Sequence, residues 1–236
     1  MKALILNSGM GTRLGELTKD TPKCMTYISE NETIISRQIR LLESVGIKNF
    51  LITTGPFEDK LIKYISSLNT SSKFEYVNNP DYQNTNYIYS IYLAKEKIEE
   101  DIIVIHGDLV FSESVATAVV SSKDSCMVVS TTEPIPKDDF KAVVEDNYIK
   151  AVGVEFYDTP NAVTAQPFYK LYKKEWLVWL GEIEKFVVSD NKKVYAENAL
   201  NKISNQIKIL PLDVKNNLCR EVDTVEDLSK VKTLLI

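Results

Sequence analysis

Apolar and polar positions along this chain follow two rhythms. Short apolar-rich runs of strand length occupy residues 3–6, 49–54, 74–77, 102–105 and 126–130. Between them, apolar positions recur near a helical period. Residues 33–45 place Ile34, Ile35, Ile39, Leu42 and Val45 on one side, and Gly46 stops the pattern. Residues 57–68, 86–98 and 115–120 read as further helices, with Ile88, Ile91, Tyr92 and Ile98 sharing a face of the second. This alternation over residues 1–131 predicts an α/β fold with a doubly wound, mostly parallel sheet.

After Thr131 the rhythm changes. Residues 133–137 carry two prolines, 143–154 read as two short strands around a turn at Asp146 and Asn147, and 162–171 form a longer extended run. Helical patterns follow at 173–188, 196–204 and 225–235, with a strand at 207–212 between the last two. Residues 132–236 are therefore expected to form a small α+β part that returns to the first sheet, giving one compact domain.

The chain has 236 residues, 44% of them hydrophobic, enough for one sizeable core. Its net charge is −5, and basic residues run no longer than pairs such as Lys173 and Lys174. A nucleic-acid partner, which would call for a basic stripe, is not expected. No apolar stretch reaches the length of a membrane span, so no membrane partner is expected either. Cys24, Cys126 and Cys219 lie far apart with no CxxC pair, which excludes the usual zinc and thioredoxin-like motifs. An odd cysteine count without a secretory signal points to a reducing cytoplasm.

Three of the eight glycines, Gly9, Gly11 and Gly15, fall directly after the first strand, in the stretch Leu6, Asn7, Ser8, Gly9, Met10, Gly11, Thr12, Arg13, Leu14, Gly15. A glycine loop at the carboxyl end of a parallel strand turns amide N–H groups toward phosphate. The dinucleotide fingerprint fails because Leu14 stands where glycine is needed, and the P-loop ending GK[ST] is absent. Instead Arg13 follows the glycines, and Pro22 and Lys23 come soon after. Two cations beside such a loop suit a triphosphate, whose charge must be neutralised before attack. Asp108 follows the strand at 102–105 through His106 and Gly107, where a carboxylate faces the ligand crevice of an open α/β sheet and could hold magnesium. His106, the single histidine, is read as a packing residue. Asp223 precedes the last helix, whose start Thr224 and Asp227 would cap.

The run Gly9-x-Gly11-Thr12-Arg13 followed by Pro22 and Lys23 resembles the signature of the nucleotidyltransferases that make nucleotide-activated sugars and cholines. The resemblance extends over nearly the whole chain, although Asn7 and Ser8 replace the family's two alanines. It implies a Rossmann-like nucleotidyltransferase fold, with residues 1–131 binding nucleotide and 132–236 binding the acceptor. It makes Arg13, Lys23 and Asp108 the catalytic group. Asp108 and Asp223 become the ligands of Mg2+, with Glu221 a weaker candidate.

The stretch from Asn79 to Ala94 is similar to the phosphocholine cytidylyltransferase branch, and Asn86 and Ser90 lie one helical turn apart. That branch implies CTP, with Leu6 to Arg13, Lys23, Asn79, Asn86, Ser90 and Gly107 around the nucleotide. Glu197 matches an acidic acceptor position, and Tyr169 and Lys170 complete the expected acceptor site. Phe156, Tyr157, Phe168, Tyr172, Trp176 and Trp179 supply further aromatics for an ammonium. Phosphocholine, an amino-acid phosphate or an aminoalkyl phosphonate all fit as acceptors for a cell-surface glycan, capsule or lipid precursor. A sugar 1-phosphate paired with UTP or dTTP, and a non-catalytic regulatory domain, stay open as alternatives. The oligomeric state is also open, a homodimer being one possibility.

Overall fold

The computed structural model describes residues 1–235. Its first part contains β1 (Lys2–Leu6), α1 (Ile34–Ser44), β2 (Asn49–Thr54), α2 (Glu58–Ser66), β3 (Lys73–Asn78), α3 (Tyr87–Ala94), β4 (Ile102–His106), β5 (Leu109–Phe111), α4 (Glu113–Ser121) and β6 (Cys126–Ser130). Its second part adds β7 (Lys141–Glu145), β8 (Tyr148–Gly153), β9 (Ala162–Leu171), α5 (Lys173–Val188), α6 (Ala196–Ile203), β10 (Leu210–Asp213), β11 (Cys219–Glu221) and α7 (Val225–Leu234). The expected elements are present with ends shifted by a few residues. The short strands β5 and β11 had no counterpart in the sequence pattern.

The main sheet runs β10-β6-β9-β4-β1-β2-β3. β1 pairs in parallel with β2 and β4, as β2 does with β3 and β6 with β10. β9 enters antiparallel between β4 and β6, and the β7–β8 hairpin hangs from it. The α/β expectation therefore holds, with one antiparallel strand near the centre of the sheet. The second part supplies that strand and the edge strand β10, so the two parts share one sheet.

Side chains alternate across the sheet with the period of a strand. On β1, Leu4 and Leu6 pack with Ile88 and Ile91 of α3, while Ala3 and Ile5 pack with Ile35 and Ile39 of α1. Both faces are covered, which is why the central strands are apolar on both sides. On β9, Tyr169 faces Trp176 and Trp179 of α5, and Phe168 lies on the opposite face against Phe111.

The strand ends that build the site meet closely. Leu6 stands beside Thr53 on one side and His106 on the other. A Cβ on Gly107 would fall 1.7 Å from Asn7 Oδ1 and 2.8 Å from the Leu6 carbonyl oxygen, so only glycine lets these two chain ends approach. The buried Gln38 of α1 donates to the carbonyls of His106 and Leu109, at 2.9 Å and 2.7 Å, and pins the turn that carries Asp108.

Phe168 is fully buried on β9, so Phe168→Ala should cost about 3–5 kcal/mol of stability. Urea denaturation checks this, and a midpoint equal to wild type would place β9 outside the core.

Candidate active site

The carboxyl ends of β1 and β4 open into a cavity of about 390 Å³. This is the edge at which open α/β sheets bind ligands. The loop after β1 forms one wall, with Leu6, Asn7, Ser8, Gly9, Gly11, Thr12 and Arg13 on the lining. Met10, expected there, is exposed and stands outside the lining. Gly11 has φ +65°, and a Cβ on it would lie 2.7 Å from Lys23 Cβ. Glycine is thus needed both for the left-handed turn and for the lysine stem to pass. The buried Asn7 Nδ2 and Ser8 Oγ have no hydrogen-bond partner among the described residues. Unpaired polar atoms on a cavity wall are free to meet a ligand.

Lys23 crosses from this loop to the acidic side. Its Nζ donates to Asp108 Oδ2 at 2.6 Å and to Asp223 Oδ1. Arg13 reaches the same Asp223 oxygen at 2.8 Å. Burial works against the lysine charge, yet Asp108 and Asp223 outweigh it and raise its pKa. Burial likewise pushes the Asp108 carboxyl up, but Lys23 and then His106 more than offset this and hold it below the usual range.

Asp223 reaches this point through two local devices. β11 pairs antiparallel with β5, setting Glu221 opposite Leu109, and the Val222 amide donates to the Asp108 carbonyl at 3.0 Å. Thr224 and Asp227 then form the capping box of α7, which frees the Asp223 carboxylate to face Lys23.

The floor of the cavity is polar. Asn79 donates to Thr85 Oγ1 at 3.1 Å and to the buried Ser90 Oγ at 3.0 Å. Asn86 caps α3 by accepting from the Tyr87 amide at 2.8 Å, and still lines the cavity.

Beyond the floor stands an aromatic wall that the sequence reading did not find. Tyr87, His106, Phe140 and Tyr195 form a closed circuit of neighbouring rings, with successive centroids 4.6, 6.2, 5.0 and 5.9 Å apart. His106 is thus more than a packing residue. Its Nδ1 lies 3.0 Å from Glu221 Oε1 on the lining. Burial and then Asp108 push Glu221 up to about 7. Burial also disfavours charge on His106, but the Glu221 hydrogen bond keeps its pKa above the ordinary value. Asp138 and Asp139 complete the lining. The acidic doublet between the proline pair and Phe140 was the sequence signal that could have marked this segment.

The expected acceptor trio is not on the lining. Tyr169 and Lys170 are adjacent on a strand and must face opposite ways. Tyr169 is buried among the tryptophans, and Lys170 donates to the carbonyls of Val120 and Ser122 at the end of α4. A lysine there complements the helix C-terminus, so its placement is a structural one. Glu197 is only 2% exposed, and it accepts hydrogen bonds from Tyr87 and Tyr169, the latter at 2.9 Å. It meets the cavity only through the Tyr87 ring. Burial and then Glu197 raise both tyrosine pKa values well above normal, so both hydroxyls remain donors. Phe168, Trp176 and Trp179 are core residues, and Phe156, Tyr157 and Tyr172 also lie off the lining.

A glycine loop, a lysine and facing carboxylates at the carboxyl edge of a parallel sheet are the equipment of an enzyme that handles a nucleoside triphosphate. The nucleotidyl transferase family model matches residues 2–141, and the chain belongs to that family. It is 27% identical to CTP:phosphoglutamine cytidylyltransferase of Campylobacter jejuni subsp. jejuni, over 97% of this chain and 98% of the relative. It is 25% identical to choline-phosphate cytidylyltransferase of Streptococcus pneumoniae, over 100% of this chain and 98% of the relative. Among solved structures, the inositol-1-phosphate CTP transferase from T. maritima superposes with a TM-score of 0.81 at 25% identity, covering 99% of this chain and 94% of that one.

Glu197→Ala leaves two buried hydroxyls unpaired and should destabilise the fold by about 1–3 kcal/mol per hydroxyl. Glu197→Gln, which can accept from one hydroxyl and donate to the other, should stay close to wild type. Thermal melts of the two variants check this, and equal melting temperatures for Ala and wild type would remove the buried bridge.

Proposed function

We propose that this protein is a CTP-dependent cytidylyltransferase that joins CMP to a small phosphate or phosphonate bearing a cationic group, and releases pyrophosphate. The observation that carries the acceptor reading is the charge and shape of the cavity. Asp108, Asp138, Asp139, Glu221 and Asp223 line it against Arg13, Lys23 and His106, the last paired with Glu221, next to the aromatic wall. A cationic group gains from aromatic faces and from excess carboxylate. An acceptor carboxylate, by contrast, would have to compete with phosphate for Arg13 and Lys23. Phosphocholine or an aminoalkyl phosphonate is therefore preferred to an amino-acid phosphate. The two cytidylyltransferase relatives support CTP, as does the polar floor of Asn79, Asn86 and Ser90, whose amides and hydroxyl can read a pyrimidine edge.

In this reading the triphosphate lies along residues 8–13. Lys23 and Arg13 neutralise it and steady the departing pyrophosphate. The acceptor phosphate is itself the nucleophile, because its second ionisation falls near pH 6, at about the value for any phosphomonoester. No general base is required, and the protein's work is alignment and charge neutralisation. The donor set also suits a divalent metal such as Mg2+. Asp108 and Asp223 are hard oxygen donors that face one bay, and the buried Asp108 Oδ1 lacks a hydrogen-bond partner among the described residues. These two residues would hold the ion, which when bound would draw negative charge from the phosphate oxygens. The expected setting is assembly of a cell-surface glycan or lipid precursor in the cytoplasm.

Pyrophosphate release measured across four nucleoside triphosphates and a panel of acceptors tests the proposal. Turnover is expected with CTP and phosphocholine or an aminoalkyl phosphonate. Turnover confined to UTP or dTTP with sugar 1-phosphates would overturn it. Lys23→Ala should then lower kcat/KM by roughly tenfold to a thousandfold, the scale of one charge-assisted contact to a transition state. An unchanged value would make Lys23 a bystander.

A further inference from the structure

The bay between Asp108 and Asp223 is filled by the protein's own ammonium. Lys23 Nζ stands between Asp108 Oδ2, at 2.6 Å, and Asp223 Oδ1, and Arg13 lies 2.8 Å from the latter oxygen. Two carboxylates are thus balanced by two cations of the chain itself. The Lys23, Asp108 and Asp223 side chains are only 14%, 21% and 15% exposed, so little solvent screens the cluster.

We propose that Lys23 is an internal counter-cation that keeps the Asp108–Asp223 bay closed to free divalent metal, and yields it only when a nucleoside triphosphate draws the lysine away. The inference rests on the reading of this bay as the metal site. Three features carry it. A magnesium ion needs oxygen ligands at about 2.0–2.1 Å, and it cannot use an oxygen that already holds an ammonium in the same space. The two cations also repel, so each weakens the other's hold on the bay. The loop that would cradle the triphosphate runs against the lysine stem, with the Gly11 position 2.7 Å from Lys23 Cβ once a Cβ is placed there. Lysine carries its charge on a flexible four-carbon stem, so rotation about side-chain bonds moves the head from carboxylate to phosphate with no backbone motion. Last, Asp108 Oδ1 is buried and has no partner among the described residues, which leaves the carboxylate one oxygen short of full satisfaction while lysine is in place. The consequence is an order of assembly: metal and nucleotide enter together, and metal alone binds poorly.

Mn2+ binding to the full chain without nucleotide, followed by the electron paramagnetic resonance signal of the free aqua ion, tests this. Lys23→Met should bind Mn2+ at least roughly tenfold more tightly than wild type, the scale of a removed charge-assisted competitor. Adding Asp108→Asn to that variant should abolish the gain. Lys23→Gln, which keeps a polar head without charge, should behave as Met does and carries the test if Lys23→Met fails to fold. Equal or weaker Mn2+ binding in the Lys23 variants, with Asp108→Asn still lowering affinity, would overturn the inference and leave the metal reading standing. Binding indifferent to Asp108→Asn in every background would overturn both.

Discussion

An ammonium held between two carboxylates joins three stretches of chain that sequence keeps far apart. Lys23 lies 85 residues from Asp108 and 200 from Asp223. Everything around it serves that convergence. Gly11 gives room to the lysine stem, Gly107 lets the ends of β1 and β4 approach, and Gln38 ties down the turn between them. The pairing of β5 with β11 then brings Val222 opposite Asp108 and delivers Asp223 to Lys23. Opposite charges concentrated in a partly buried space cost free energy unless each has a partner. The mutual neutralisation seen here is what allows so many charges to share one partly buried bay.

The aromatic side of the cavity follows a different physical logic. Its wall is made of neighbouring rings, of which Tyr87 and His106 are each tied to a carboxylate, Glu197 and Glu221. Glu197 sits in the first turn of α6 and receives hydroxyl groups from α3 and β9, so three elements are locked at one point. Such a support fixes the orientation of a cavity wall without presenting its charge to the ligand. The charges that do face the cavity, Asp138, Asp139 and Glu221, lie on connecting segments and a strand end.

β9 couples the two ends. Because it enters antiparallel between β4 and β6, its partner hairpin emerges at the edge where the parallel strands terminate. Phe140, at the start of β7, and Val154, just after β8, then reach the cavity that the glycine loop opens. Both walls of the cavity are thus built on one continuous sheet.

The α/β rhythm, the glycine loop with its cations and the acidic residue after β4 were legible in the chain alone, because each is a local pattern. Strand and helix periods depend on neighbouring residues, and a glycine loop after a buried strand specifies its own backbone. The same held for the capping box at Thr224, since both partners lie within one turn of helix. The roles of Glu197, Lys170 and His106 were not local. Whether a glutamate meets a ligand or two tyrosines depends on which elements pack around it, and strand alternation sent Lys170 away from Tyr169. The aromatic wall draws its rings from α3, β4, the start of β7 and the turn before α6. No spacing in the sequence relates those positions. Only the insertion of β9 and the packing of α6 against α3 brought them to one surface, because long-range contacts are chosen by the burial of whole elements and not by the residues that end up facing the cavity.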